Sequence, residues 1–384
     1  MFEITFLGTS GGPIEGTNCC ILLKSSDKSY KEIIENNLSD EILCIDAGSG
    51  INRLSEVIYN EINNLEFNQS LNLYNDKSSV EHYYHESMNI IKPFKDLNNP
   101  HNDDTTPIGL SMKIFDNINN YIISHPHLDH INSLVLNSPN FSVQNSKNVI
   151  ASSSTIDSLD KFIFNGIIWP NMQEFKILKF NKIDYHQQFE LNNFTIKMYK
   201  LSHGKLFNSI KRNNSISLIE NYQLNQKQKN DYHTTSTPYL SSAFLISNRL
   251  DNDILIFGDF ESDSVSGLNF NSLIWKDISP LIISNRLNII VVECSNSNLS
   301  TNNLYGHLNP IYLFQELVLL NDFCKQLTSD PHPLENLNII VNHIKETSTS
   351  NPRKKILQIL NEFNEKYDLR IKFSIALSGV SVSI

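Results

Sequence analysis

The sequence has no long apolar run: nowhere among its 384 residues do apolar side chains approach the ~18 in succession that a membrane-spanning helix needs. It also lacks a basic start followed by an apolar core. The opening Met1-Phe2-Glu3-Ile4-Thr5-Phe6-Leu7 carries an acid early and reads as a strand, not as a secretion signal. Basic charge is in short supply, with 31 Lys and Arg against 41 Asp and Glu and a formal charge of −10. That balance argues against a protein that grips long nucleic acid by neutralising many phosphates. A small anionic ligand remains compatible, because a bound metal reverses the local field. Cysteine is scarce and unpatterned: Cys19, Cys20, Cys44, Cys294 and Cys324 are odd in number and contain no Cys-x-x-Cys pair. The expectation is buried free thiols in a reducing, cytoplasmic compartment, in a soluble protein with no membrane partner. The oligomeric state is left open.

Also missing are an internal repeat of fixed period and a linker between two complete α/β blocks, so one domain spanning residues 1–384 is expected. Short β-branched runs recur at Ile4–Leu7, Cys20–Leu23, Ile42–Ile45, Tyr121–Ser124, Phe194–Leu201, Ala243–Ser247, Ile254–Phe257, Ile289–Val292, Ile339–Val341 and Ile371–Ile375, and each reads as a strand. Helical spacing marks Ile51–Ile62, Thr155–Phe164, Pro310–Leu327 and Pro352–Tyr367, the last two opening on a proline. Strands alternating with helices from end to end predict an α/β fold. Two polar stretches, at about 63–106 and 205–237, interrupt this pattern and read as surface insertions, mobile at least in part.

The segment richest in chemistry is Ser124-His125-Pro126-His127-Leu128-Asp129-His130, just after an apolar run and before a helical stretch. Imidazoles two residues apart at a strand end can point at one metal while the next Asp and His reach a second. Two coordination shells need further ligands, also at strand ends, and His203, Asp259 and His343 qualify, each directly beyond a strand-like run. The carboxylate of Asp259 is suited to bridge two cations. Asp46 ends a strand too, but both shells are full without it, so it is expected to orient a ligand histidine or its loop. His82, His85, His101, His186, His233 and His332 lie in polar or loop-like contexts and read as surface residues. His82 and His85 do not form a helical metal pair, since Tyr83 and Tyr84 separate them within a low-complexity stretch.

The order Asp46, His125-x-His127-x-Asp129-His130, His203, Asp259, His343 resembles the dinuclear site of the metallo-β-lactamase superfamily. The longer run His125 to Pro139, HPHLDHINSLVLNSP, resembles the signature of class II cyclic-nucleotide phosphodiesterases, the low-affinity cAMP enzymes of fungi and some bacteria. Similarity extends over nearly the whole chain, through Phe6-Leu7-Gly8-Thr9-Ser10-Gly11-Gly12-Pro13, Gly258-Asp259-Phe260-Glu261-Ser262-Asp263, Tyr305-Gly306-His307-Leu308 and Asn342-His343-Ile344-Lys345-Glu346.

The resemblance implies an αβ/βα sandwich, two β-sheets flanked by helices, with a pair of divalent cations, expected to be Zn²⁺, at one edge. It implies that His125, His127 and His203 hold one ion, that Asp129, His130 and His343 hold the other, and that Asp259 bridges them. The implied reaction is hydrolysis of a small 3′,5′-cyclic nucleotide, cAMP with cGMP as a second candidate and the preference between them left open, to the nucleoside 5′-monophosphate, ending or limiting a cAMP signal. Asp129, His307 and Glu293 are the residues expected to take part in the chemistry. His307 would give a proton to the leaving oxygen and Glu293 would orient it, as a Glu and His pair does in related RNA-cutting members. An alternative of the same fold is a tRNA 3′-processing endonuclease of the RNase Z type. That activity needs a basic Gly- and Pro-rich arm, and the nearest run, Lys205–Lys229, dilutes its lysines with Asn and Gln. A non-catalytic, nucleotide-binding regulatory member is the other alternative. All seven ligand candidates are present, which speaks against it.

Overall fold

Side-chain alternation along short strands decides the layering. In the strand Cys20–Ser25, Ile21 and Leu23 enter one buried cluster while Cys20 and Leu22 enter another on the opposite face. The computed structural model describes residues 1–66, 68–97, 106–206, 237–300 and 304–384. Among them run β1 (Phe2–Gly8), β2 (Cys20–Ser25), β3 (Leu43–Ile45), β4 (Asn89–Ile91), β5 (Asn120–Ile122), β6 (Lys147–Ser152), β7 (Leu178–Ile183), β8 (Gln188–Leu191), β9 (Phe194–Leu206), β10 (Thr237–Asn248), β11 (Asp253–Phe257), β12 (Leu287–Glu293), β13 (Asn338–Asn342), β14 (Lys372–Ile375) and β15 (Val380–Ser383). They form two mixed sheets, ordered β4-β15-β1-β2-β3-β5-β6-β7 and β14-β13-β12-β11-β10-β9-β8.

One core lies between the sheets, where Ile4, Phe6, Ile21, Leu23 and Ile45 of the first meet Ile196, Met198, Phe244, Ile254 and Ile289 of the second. Helices cover the outer faces. Ile51–Ile62 and Pro107–Asp116 pack on the first sheet through Leu54, Val57, Ile58, Leu110 and Ile114. Phe270–Ile283, Pro310–Lys325 and Pro352–Tyr367 cover the second through Ile274, Trp275, Leu313, Leu317, Ile356 and Leu360. The two proline-led helices are capped as that motif favours: Asn309 accepts the Tyr312 amide and Asn351 that of Arg353. No helix of the described residues is long and apolar enough to cross a membrane.

Within this frame β3, β5, β6 and β7 run parallel, as do β11, β12, β13 and β14. Parallel strands place all their carboxyl ends on one edge, where loops collect and sites are built. Asp46 follows β3, the His125–His130 run follows β5, Asp259 follows β11, Glu293 ends β12 and His343 follows β13.

Several elements differ from the sequence expectations. β4, β6, β7, β8 and β15 lie outside the runs picked out by sequence. Lys147, Asn148, Lys179, Asn181 and Lys182 interrupt the apolar pattern of β6 and β7, and β4 is three residues long. The helical reading of Thr155–Phe164 resolves into a helix Ser153–Ser158 continued by a π-helical turn Leu159–Ile163. His203 lies inside β9, not beyond it, at a bulge.

The polar stretch 63–106 is also more than a surface insertion. Leu71, Tyr83, Tyr84 and Met88 reach the inter-sheet core, Phe94 and Leu97 reach the outer one, and β4 extends the first sheet beside β15. Its few apolar residues are diluted by Asn and Ser, which hides them from a pattern search. Residues 98–105, with His101, and residues 207–236, with most of the second stretch and His233, lie outside the described residues.

Two outcomes test this anchoring. Phe94 is fully buried, its ring 4.6 Å from that of Tyr30. Phe94→Ala should destabilise the fold by about 3–5 kcal/mol in urea unfolding, whereas His82→Ala, on the exposed face, should stay within about 0.5 kcal/mol; equal effects would mean that the segment is not part of the core. The Phe94 amide donates to Glu61 Oε2 at 2.7 Å, and burial pushes the Glu61 carboxyl up to about 7. Its folded pKa exceeds its unfolded one, so the stability it contributes is complete below about pH 4.5 and is lost as the pH rises through about 7. Glu61→Gln should flatten that decline between about pH 5 and pH 8, and an unchanged slope would exclude Glu61 as its source.

Candidate metal centre

The turn after β5 is held by Asp46. This carboxylate accepts the Ser124 amide on Oδ1 and the Ser124 hydroxyl on Oδ2, both at 2.8 Å, and the His130 Nδ1–H on Oδ2 at 2.7 Å. Asp46 and His343 both sit at φ 53, a left-handed conformation that costs about 1–3 kcal/mol and turns each side chain at the end of its strand. The helix Leu128–Asn137 starts at once, with His127 as its N-cap, and carries Asp129 and His130 in its first turn.

Four imidazoles are oriented in the same way. His125 Nδ1 donates to Ser124 Oγ at 3.0 Å, His130 Nδ1 to Asp46, His203 Nδ1 to the Gly306 carbonyl at 2.8 Å, and His343 Nδ1 to Ser295 Oγ at 2.8 Å. With the proton assigned to Nδ1 by these partners, each Nε2 lone pair points inward. All four Nε2 atoms converge on Asp259 Oδ2, at 3.7 Å for His125, 3.3 Å for His130, 3.7 Å for His203 and 3.1 Å for His343. Glycine makes room for two of these rings. A Cβ on Gly306, where φ is +85, would lie 2.6 Å from the His203 backbone, and one on Gly11 would lie 2.5 Å from the His343 ring.

The donors divide into two groups around Asp259. His127 Nδ1 lies 3.1 Å from His125 Nε2 and 3.2 Å from His203 Nε2. Nitrogens that share one tetrahedral ion at about 2 Å lie about 3.3 Å apart, so this triad has the spacing of a single shell. Asp129 Oδ2 stands 3.3 Å from His343 Nε2 and 3.8 Å from His130 Nε2, forming the second group with Asp259. His130 Nε2 and Asp259 Oδ1 are enclosed and have no hydrogen-bond partner among the described residues. Buried polar atoms in that condition are costly, and cations at these positions satisfy both. The donor set therefore fits a pair of divalent metal ions.

Electrostatics agrees with the geometry. Burial, reinforced by the neighbouring imidazoles, pushes His125 well below the usual histidine range, and burial brings His203 down to about 4, so both stay neutral as ligands must. Burial acts against ionisation of Asp129, yet the neighbouring His343 and His130 hold the carboxyl below the usual range. His130 runs the other way: burial lowers it, but the carboxylates of Asp259 and Asp46 more than compensate.

Beside this cluster stands the pair expected from sequence. His307 Nδ1 donates to Glu293 at 3.1 Å, its ring centroid 4.7 Å from that of His203 and 5.2 Å from that of His343. Burial lowers His307, and Glu293 raises it further than burial lowers it. Ser295, which no spacing in the sequence signals, ties the pair to the cluster: its hydroxyl donates to Glu293 Oε2 at 2.6 Å and accepts from His343. Cys19 and Tyr239 also border the site without having been legible in the sequence; Cys19 Sγ groups with the ligand atoms of His130 and His343, and Tyr239 stacks on His127. All five cysteines are buried and free. His82 and His186 are exposed, and His85 and His332 partly so, away from the cluster.

The sequence model of cAMP phosphodiesterases class-II matches residues 31–379. A 3′,5′-cyclic-nucleotide phosphodiesterase of Candida albicans is 40% identical, with 100% of each chain covered. The 3′,5′-cyclic-nucleotide phosphodiesterase 1 of Saccharomyces cerevisiae is 31% identical over 99% of this chain and 98% of its own. Among solved structures, unliganded yeast PDE1 superposes with a TM-score of 0.80 at 28% identity, covering 100% of this chain and 99% of its own. The metallo-β-lactamase fold protein YhfI from Bacillus subtilis gives 0.52 at 14% identity, over 100% and 99%, a likeness of fold. With two mixed sheets flanked by helices and a donor cluster at their shared edge, the chain has the metallo-β-lactamase fold and belongs to the class-II cAMP phosphodiesterases.

Proposed function

We propose that the chain hydrolyses 3′,5′-cyclic nucleotides, cAMP with cGMP as a second candidate, to nucleoside 5′-monophosphates, with two Zn²⁺ ions as cofactor, and so limits a cAMP signal in the cytoplasm. The observation that supports this most directly is Asp259 Oδ2 within 3.1–3.7 Å of four inward-facing imidazole nitrogens, with a ligand group on either side. His125, His127 and His203 would hold one ion, Asp129, His130 and His343 the other, and Asp259 would be shared. Bound there, the cations would supply a water acidic enough to attack near neutral pH and positive charge for the phosphodiester oxygens.

The chain's own groups do the rest. Asp46, Gly306 O and Ser295 fix the tautomers of His130, His203 and His343, and Ser124 does so for His125. In His307, Nδ1 is taken by Glu293, which leaves Nε2 to hold a proton for the departing 3′ oxygen. Glu293 strengthens that role twice: it orients the ring, and its charge favours the protonated imidazole. The net charge of −10 and the absence of a basic arm weigh for a small substrate over tRNA.

Chelation should abolish cAMP hydrolysis, and about two equivalents of zinc per chain should restore it. Asp259→Ala should lose both metal and rate, while His82→Ala changes neither. A fully active, metal-free preparation, or an Asp259→Ala variant with two metals and normal turnover, would exclude this centre.

His307→Ala should keep both metals and lower kcat on cAMP by about 10²–10⁴-fold. The loss should shrink on bis(p-nitrophenyl) phosphate, whose leaving group departs as a stable anion. Equal losses on the two substrates would make His307 a binding or structural residue.

A further inference from the structure

β10 pairs with β9 through Pro238 opposite Lys205 and Leu240 opposite Ser202, so the single residue Tyr239 faces two residues, His203 and Gly204. Gly204 has φ +81, the conformation that lets the extra residue of such a bulge fit. Opposed residues of paired strands share a face, and a bulge re-aims the side chains beside it. Tyr239 accordingly emerges beside His203, ring centroids 5.8 Å apart, and lies over the first donor triad. Its ring is stacked on His127 at 4.7 Å and 12°, and its edge relation to His125 is 6.2 Å at 87°.

The phenol is half-buried, and its hydroxyl has no hydrogen-bond partner among the described residues. The other hydroxyls at the cluster are engaged: Ser124 with Asp46 and His125, Ser241 with His125 at 3.5 Å, Ser295 with Glu293 and His343. A side chain held by a stack and a bulge, with a free donor at the edge of the donor cluster, is placed for a ligand and not for the fold.

A cyclic phosphodiester brings two non-bridging oxygens that share one negative charge. As water adds and the 3′ bond breaks, more charge collects on them. A positioned, uncharged O–H donor lowers the energy of that state without reorganising, and a phenol, with an ordinary pKa of about 10, keeps its proton at neutral pH. His307 stands against His203 and His343, and Tyr239 against His127 and His203, so the two flank the first donor triad from different rings. We infer that Tyr239 is a further catalytic residue, its hydroxyl donating a hydrogen bond to a non-bridging phosphoryl oxygen of the cyclic nucleotide as charge develops there. No proton is transferred; the O–H bond remains intact through the step. This inference rests on the cyclic-nucleotide reading above.

Tyr239→Phe removes the hydroxyl and keeps the ring, while Tyr239→Ala removes both. The wild type is assayed on cAMP first, and failure to hydrolyse it would refute the functional reading, whatever Tyr239 does. Given wild-type activity, Tyr239→Phe should keep both metals, lose about 10²-fold in kcat on cAMP, and bind 5′-AMP, whose phosphate takes the same donor, about tenfold more weakly by calorimetry. Tyr239→Phe with wild-type kcat and wild-type 5′-AMP affinity would overturn the inference. So would loss of metal in Tyr239→Phe, which would make the phenol a support for His127. A Tyr239→Ala variant that loses metal while Tyr239→Phe behaves as the wild type would do the same, leaving the ring as packing.

Discussion

Everything at the site turns on one buried carboxylate. Asp259 is 2% exposed, and four imidazoles direct Nε2 at its Oδ2. A carboxylate taken this far from water is expensive unless positive charge meets it. The protein sets imidazoles around Oδ2 and leaves Asp259 Oδ1 and His130 Nε2 unpartnered among the described residues, an arrangement that suits cations. The hydrogen bonds at the outer nitrogens follow from the same requirement, since a neutral histidine must have its proton on one side to offer a lone pair on the other.

The fold makes that convergence possible by aligning the carboxyl ends of two parallel strand sets along one edge. The backbone then bends where each donor is needed: left-handed at Asp46 and His343, bulged at His203–Gly204, and straight into a helix after His127. Local strain at these points is offset by a core that fills the space between two sheets and both outer faces. Residues 68–97, polar as they are, take part in that core and close the edge of the first sheet at β4.

Around the cluster stand further groups. Glu293 and His307 form a hydrogen-bonded pair, Ser295 ties them to the ring of His343, and Tyr239 stacks on His127. The coupling through Ser295 means that the orientation of the His343 ring and that of the Glu293 and His307 pair are not independent, because one hydroxyl proton and one oxygen serve both.

From its sequence alone the protein is an α/β chain with a dense His and Asp run at a strand end, and the family signature in His125–Pro139 is a matter of adjacent residues. Close spacing is legible because a strand end and the first helical turn fix where neighbours point. His203, Asp259 and His343 are legible as candidates by their places after apolar runs, and Glu293 and His307 through the family resemblance, yet their mutual distances are not. Nothing local in the chain signals that Ser295 serves His343, that Gly306 O receives His203, or that Tyr239 meets His127, across separations of 48, 103 and 112 residues. Those contacts come from strand pairing and a bulge, which depend on the register of whole sheets. The same holds for Tyr84 and Phe94, whose burial is decided by the surfaces they meet, not by the polar residues around them in sequence.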